Sequence, residues 1–174
     1  MARLPNYLRS NRKRLALSQQ EVAFGFGYAV FEGPESILEC GIKTARWEKN
    51  AQALRKIGKL VFHFNPAVLV LENTDVTGSR RSPRIRELGQ EIIALAKSRK
   101  IKVKLFSRDR VLKTIIPDRR GTKHAMAEII ARRFPEQLAT QLPPERALWD
   151  SESPRMAMFE AVALALVFQM TQTR

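Results

Sequence analysis

The sequence holds one cysteine, Cys40, so no internal disulfide can form, and a reducing, cytosolic setting is the simplest reading. Soft metal ligands are scarce as well. Cys40, His63 and His124 make up the whole set, which argues against a structural zinc site. Long apolar runs are missing. The longest, Ala161 to Phe168, is far too short to span a bilayer. The Arg-rich N-terminus carries no apolar stretch of the secretory kind. No internal repeat or low-complexity tract is found. Acidic residues are also under-represented, with 17 Asp and Glu against 31 Lys and Arg, a net charge of +14.

What is present suffices for a core. The chain has 174 residues, 44% of them hydrophobic, a length that fits one domain or one domain with a short appendage. The positive charge is clustered. Residues 80–133 hold 17 basic and 5 acidic side chains, whereas residues 134–174 hold 3 and 5. A surplus concentrated in this way predicts an anionic partner, nucleic acid first and an acidic membrane surface second.

Hydrophobic periodicity predicts alternating strands and helices. Phe24 to Phe31 reads as an aromatic, Gly-containing strand, and Ser36 to Thr44 as its hairpin partner across the Gly33-Pro34 turn signal. Ala45 to Phe64 reads as a helix with Trp47, Leu54, Ile57, Leu60, Val61 and Phe64 on one face, stopped by Asn65-Pro66. Val68 to Leu71 is a short, fully apolar run typical of a buried parallel strand. Ile85 to Arg99 is an amphipathic helix, and Lys102 to Phe106 alternates like a strand near a sheet edge. Ser107 caps a short helix, Thr122 starts another, and Pro154 to Met170 forms the last. Strands linked by crossover helices indicate an α/β domain.

Glu72 is the most informative residue, because it directly follows four apolar residues of a buried strand. Open α/β sheets place their sites at such strand ends. A lone carboxylate in a dry site would protonate, so a divalent cation or a basic partner is expected beside it; the alternative is a strand-end Glu that reaches solvent or pairs with a nearby Arg.

The order of segments GFGYAVFEGP…ECGIKTAR, FNPAVLVLE, KVKLFSRDRV, GTKHAMAEIIA and FEAVALAL resembles the RuvC-type Holliday-junction resolvases of the RNase H-like nucleases, over about five-sixths of the chain. The resemblance implies two Mg²⁺ ions held by carboxylates, one activating water and one stabilising the leaving oxygen. Four acidic positions are then expected: the end of the first strand, the end of the strand after the first helix, and two at the start of the last helix. Glu72 matches the second and Glu160 the last, so both are candidate catalytic residues and metal ligands. Ala157 stands one turn before Glu160, where the family has an acidic residue or a histidine. Glu152 is near, but its spacing is wrong for the same helical face. Lys123 matches a DNA-contacting lysine. With Arg80, Arg81, Arg84, Lys102, Lys104, Arg119 and Arg120 it forms the expected nucleic-acid-binding set. A homodimer is implied too, since such resolvases cut two symmetric strands.

The first catalytic Asp should end a strand just before GFGYAV, and no Asp is there. Either Leu15 to Leu17 is the central strand, with Ser18 at the Asp position, or residues 6–23 resemble the opening of a Cro/repressor-type helix-turn-helix. In the second case Ser18 and Glu21 form a capping box. The helical reading fits the local pattern better. The expectation is therefore an α/β protein: a basic helical segment over residues 1–23, then an RNase H-like mixed sheet flanked by helices over residues 24–174, its first strand missing or degenerate. Its expected function is binding of branched or duplex DNA with an incomplete two-metal endonuclease centre, in a bacterial or phage-like cytoplasm. The alternative is a non-enzymatic Cro/repressor-type regulator, which needs a third helix near Phe24.

Overall fold

The computed structural model describes residues 13–20, 25–33, 35–75, 81–116 and 121–172. Among these, the elements run β1 (Lys13–Gln20), β2 (Gly25–Glu32), β3 (Ile37–Thr44), α1 (Lys49–Phe64), β4 (Val68–Glu72), α2 (Pro83–Ser98), β5 (Lys102–Phe106), α3 (Arg108–Ile115), α4 (Lys123–Arg133), α5 (Pro135–Leu138) and α6 (Arg155–Gln172), with a 3-10 turn at Ala139–Gln141. The strands form one mixed sheet in the order β3-β2-β1-β4-β5. β1, β2 and β3 are antiparallel neighbours, while β1, β4 and β5 run parallel.

The first strand is present, and this corrects the expected helical segment. Residues 13–20 form β1, the middle strand of the sheet, rather than the second helix of a helix-turn-helix. The remainder of that expected segment, residues 1–12 and 21–23, lies outside the described residues. Local capping chemistry at Ser18 loses to long-range pairing, because β1 is hydrogen-bonded along both edges. Leu15, Ala16 and Leu17 pair with Val30, Ala29 and Tyr28 on one side, and with Leu69, Val70 and Leu71 on the other. All three are buried. Where a Cro-type reader helix would have to follow, residues 25–44 contain the β2–β3 hairpin instead.

The two-residue period of the strands divides the core into two layers. Leu15, Leu17, Leu69 and Leu71 face α1 and α2, meeting Ile57, Leu60, Leu88 and Ile92. Ala16, Ala29, Phe31 and Val70 face the opposite way, toward α4 and α6, meeting Met126, Ile130, Phe159 and Val162. Each large apolar side chain so buried contributes on the order of 1.5–3 kcal/mol. α6 is apolar nearly all round, as suits a helix walled in on several sides. Trp47 does not join the α1 face. It precedes the helix and is 79% exposed.

Terminators behave as the local chemistry predicts. Asn65 ends α1 in the left-handed region (φ 44°) and donates its N–H to Val61 O. The Ser107 and Thr122 hydroxyls accept from the backbone N–H groups of Arg110 and Ala125. At the far end of α6, Arg14 Nη1 donates to Gln169 Oε1 (2.7 Å), and Gln169 Nε2 donates to Gly33 O (2.8 Å), tying the helix to the start of β1.

The first turn of α6 lies directly on β2. A Cβ added at Gly27 would stand 2.0 Å from the Ala157 carbonyl oxygen, a backbone atom that cannot step aside. Gly27→Ala is therefore expected to destabilise by about 3 kcal/mol or to block folding. Gly58→Ala, in the middle of α1 with nothing within 4 Å of the added methyl, is expected to stabilise by about 1 kcal/mol. Urea denaturation of the two variants checks both signs.

Candidate functional site

The parallel strands β1, β4 and β5 all end at the same side of the sheet, and a small cavity opens there. Ser18 and Glu72 each lie one residue beyond the Leu17–Leu71 pair, and Glu72 pairs with Phe106 of β5. Alternation along β1 turns Ser18 to the same face as Ala16, toward α6. The cavity is lined by Ser18, Glu72, Arg108, Val111, Leu112, Lys123, Met126, Glu160 and Leu164. Its free space of about 20 Å³ is room for about one water.

Glu72 and Glu160, chosen from sequence, thus line one cavity although they stand 88 residues apart in the chain. Both are held by cations of the chain itself. Arg81 Nη2 lies 2.6 Å from Glu72 Oε2, and Arg81 Nε donates to the other oxygen at 3.3 Å, a two-pronged contact with both side chains 15% exposed or less. Lys123 Nζ lies 2.7 Å from Glu160 Oε1 and 2.6 Å from Glu152 Oε1. The Ser18 hydroxyl donates to the other Glu160 oxygen, Oε2, at 2.9 Å. Ser18 itself is 1% exposed, so this bond satisfies a buried hydroxyl.

Other positions fall out as follows. Lys102 and Lys104 are exposed on the edge strand β5, on the same face as Phe106. Arg84 is half-buried in the first turn of α2, where its Nη1 donates to Asn50 Oδ1 (3.1 Å) and its carbonyl accepts from Asn50 Nδ2, joining α2 to α1. Arg80, Arg119 and Arg120 lie outside the described residues. Ala157 is buried, at 1% exposure. Glu152, set aside because its spacing suits no shared helical face, reaches the site from the loop before α6 by way of Lys123. Sequence reasoning also passed over Arg108, placed at the cavity because β5 delivers it one residue after the Ser107 cap. In the turn that precedes Glu152 in the chain, Leu148 and Trp149 stand in solvent, 94% and 86% exposed.

The resemblance implies two divalent ions at this site. A hydroxyl stands on β1 just past its last pair with β4 and a methyl at position 157, and the two cavity carboxylates are each engaged by a cation. Among the described residues, no group of three or more His, Cys, Asp or Glu side chains is arranged to hold a metal ion. These residues do not fit a two-metal carboxylate set.

No protein-family model and no curated protein sequence matches the chain. Solved structures do. The mixed sheet with helices on both faces is the RNase H-like α/β fold. Within that class the chain is similar to RuvC of Thermus thermophilus, with a TM-score of 0.65 at 11% identity over 92% of this chain and 96% of that one. It is similar to the yeast mitochondrial Holliday junction resolvase Ydc2, with a TM-score of 0.62 at 14% identity over 94% and 81%. A fowlpox virus resolvase, solved with Holliday junction DNA, gives a TM-score of 0.58 at 15% identity over 93% and 99%. No helix among the described residues is long and apolar enough to cross a membrane.

Removing one partner of a shielded ion pair strands the other. Arg81→Met should destabilise the protein by about 1–3 kcal/mol, and adding Glu72→Gln should recover part of that loss. A double-mutant cycle in urea measures the coupling. Losses that simply add would show the pair to be energetically idle.

Proposed function

We infer that the chain is a nucleic-acid-binding protein that engages branched or duplex DNA through a RuvC-like domain, with an incomplete two-metal endonuclease centre. The observation that carries this reading is the convergence of Glu72 and Glu160 at the strand ends, beside Arg108 and Lys123. The position of the site supports kinship with the resolvases, and its composition supports a loss of cutting. Of the four expected carboxylate positions, two hold Ser18 and Ala157. A hydroxyl is a neutral and weak ligand for Mg²⁺, and a methyl is none. Mg²⁺ would find Glu72 and Glu160 only after their own cations had moved.

The basic surface supports the binding half. Lys102 and Lys104 project from the edge of the sheet, in the stretch of the chain with the densest positive charge. Phosphate contacts from such side chains release counterions, so affinity should fall steeply with salt. Two of the structural neighbours, T. thermophilus RuvC and the fowlpox virus resolvase, were solved with Holliday junctions, which favours a branched substrate here. Dimerisation, as in enzymes that act on two symmetric strands, would give one protomer to each half of the junction.

The test is fluorescence anisotropy with a labelled four-way junction and a duplex of the same sequence, over a range of salt. Junction binding is expected to be tighter and to weaken linearly on a log–log plot. Lys102→Glu with Lys104→Glu should weaken it at least about tenfold and flatten the slope by roughly one unit per lost phosphate contact. The junction should stay intact in Mg²⁺ or Mn²⁺. Cleavage abolished by Glu72→Gln or Glu160→Gln would overturn the incomplete centre, and absence of binding to either DNA would overturn the whole reading.

A further inference from the structure

The geometry points to Lys123 as a built-in counter-ion that replaces a divalent cation, leaving the cavity electrically balanced and indifferent to metal. This deepens the reading of an incomplete centre and rests on it. The argument begins with charge. The cavity's ionised groups are Glu72, Glu160, Arg108 and Lys123; their ion-pair partners are Arg81 and Glu152. Three carboxylates and three cations therefore line or adjoin the cavity among the described residues, Arg81 and Lys123 in direct ion pairs and the exposed Arg108 at its wall. A divalent ion is retained by an excess of negative charge, and here there is none.

Geometry adds to the charge balance. The Lys123 ammonium touches oxygens of two carboxylates, Glu152 and Glu160, at 2.6 and 2.7 Å. Bridging two carboxylates by one compact cation is what a metal ion does in such sites. An ammonium is a point charge with three rotatable donors, which suits it to the task. Glu160 is completed on its other oxygen by the Ser18 hydroxyl. An aspartate at position 18 would point a like charge at that oxygen, which is tolerable only with a cation between them. Ser18 and Lys123 are thus mutually dependent: the neutral residue on β1 allows one monovalent ammonium to suffice. The surroundings are dry enough for this to matter, since Lys123 and Glu160 are 18% and 12% exposed.

Metal titration of the full chain, without DNA, tests the idea separately from DNA binding. Melting temperatures are read in EDTA and in MnCl₂ for wild type, Lys123→Ala, Lys123→Arg and Ser18→Asp. Wild type and Lys123→Arg should melt at the same temperature in both buffers. Lys123→Ala and Ser18→Asp each shift the cavity one unit toward negative charge. Both should be less stable in EDTA and recover in Mn²⁺, by about 5–10 °C at a concentration roughly 100 times the dissociation constant. Adding Glu160→Gln to Lys123→Ala should restore stability in EDTA and remove the Mn²⁺ response. The inference is overturned if wild type gains as much from Mn²⁺ as the variants do. It is equally overturned if neither variant responds, failure of both to fold in either buffer included. Tight junction binding by a wild type that also binds Mn²⁺ would defeat this inference while leaving the DNA-binding reading in place.

Discussion

A carboxylate within the long apolar stretch of α6 governs this site. Glu160 stands among Phe159, Ala161, Val162 and Ala163, all buried, and the helix can pack against β1 and β2 only if that negative charge is compensated where it lies. Two groups from distant parts of the chain do so, the Ser18 hydroxyl from the middle strand and the Lys123 ammonium from the start of α4. The ammonium then reaches Glu152 in the loop that leads into α6. One partly buried charge thereby links the central strand, two helices and a connecting loop. The cavity at the strand ends is the space left where they converge.

Much of the architecture could be read from the residues. VLVLE announces a buried parallel strand and the position of its acid, because an unbroken apolar run is what burial on both faces requires. Asn65-Pro66, Ser107 and Thr122 mark element ends by chemistry confined to a few residues, and each boundary falls within a residue or so of the expected place. β1 was not legible in the same way. KRLALSQQ has only three apolar residues, and Ser18 with Glu21 imitates a helix start. What makes the segment a strand is its pairing with residues 25–32 on one edge and 68–71 on the other, information spread over more than fifty positions.

In the candidate site the acids stand out in the sequence by themselves, whereas of the cations only Lys123 is singled out, and that through the family resemblance. Glu72 and Glu160 stand out because charge is exceptional in an apolar context. Arginines and lysines in a chain with 31 of them do not; a nearby Arg is one expected partner of Glu72, but no local pattern picks out Arg81, which holds it, from Lys102, which faces solvent. Glu152 escaped for a geometric reason. The spacing rule applies to residues on one helix, and Glu152 lies in a loop whose path the sequence does not specify.

The placement of Lys102 and Lys104 has a bearing on solubility. They sit on the outermost strand of the described sheet, where the rim of peptide groups has no strand partner among the described residues and could template another, and where Leu105 is already 41% exposed. Repulsion between such ammonium groups keeps two copies from docking rim to rim. Replacing both lysines with neutral, β-favouring residues would strip that charge from the rim and favour strand-to-strand self-association.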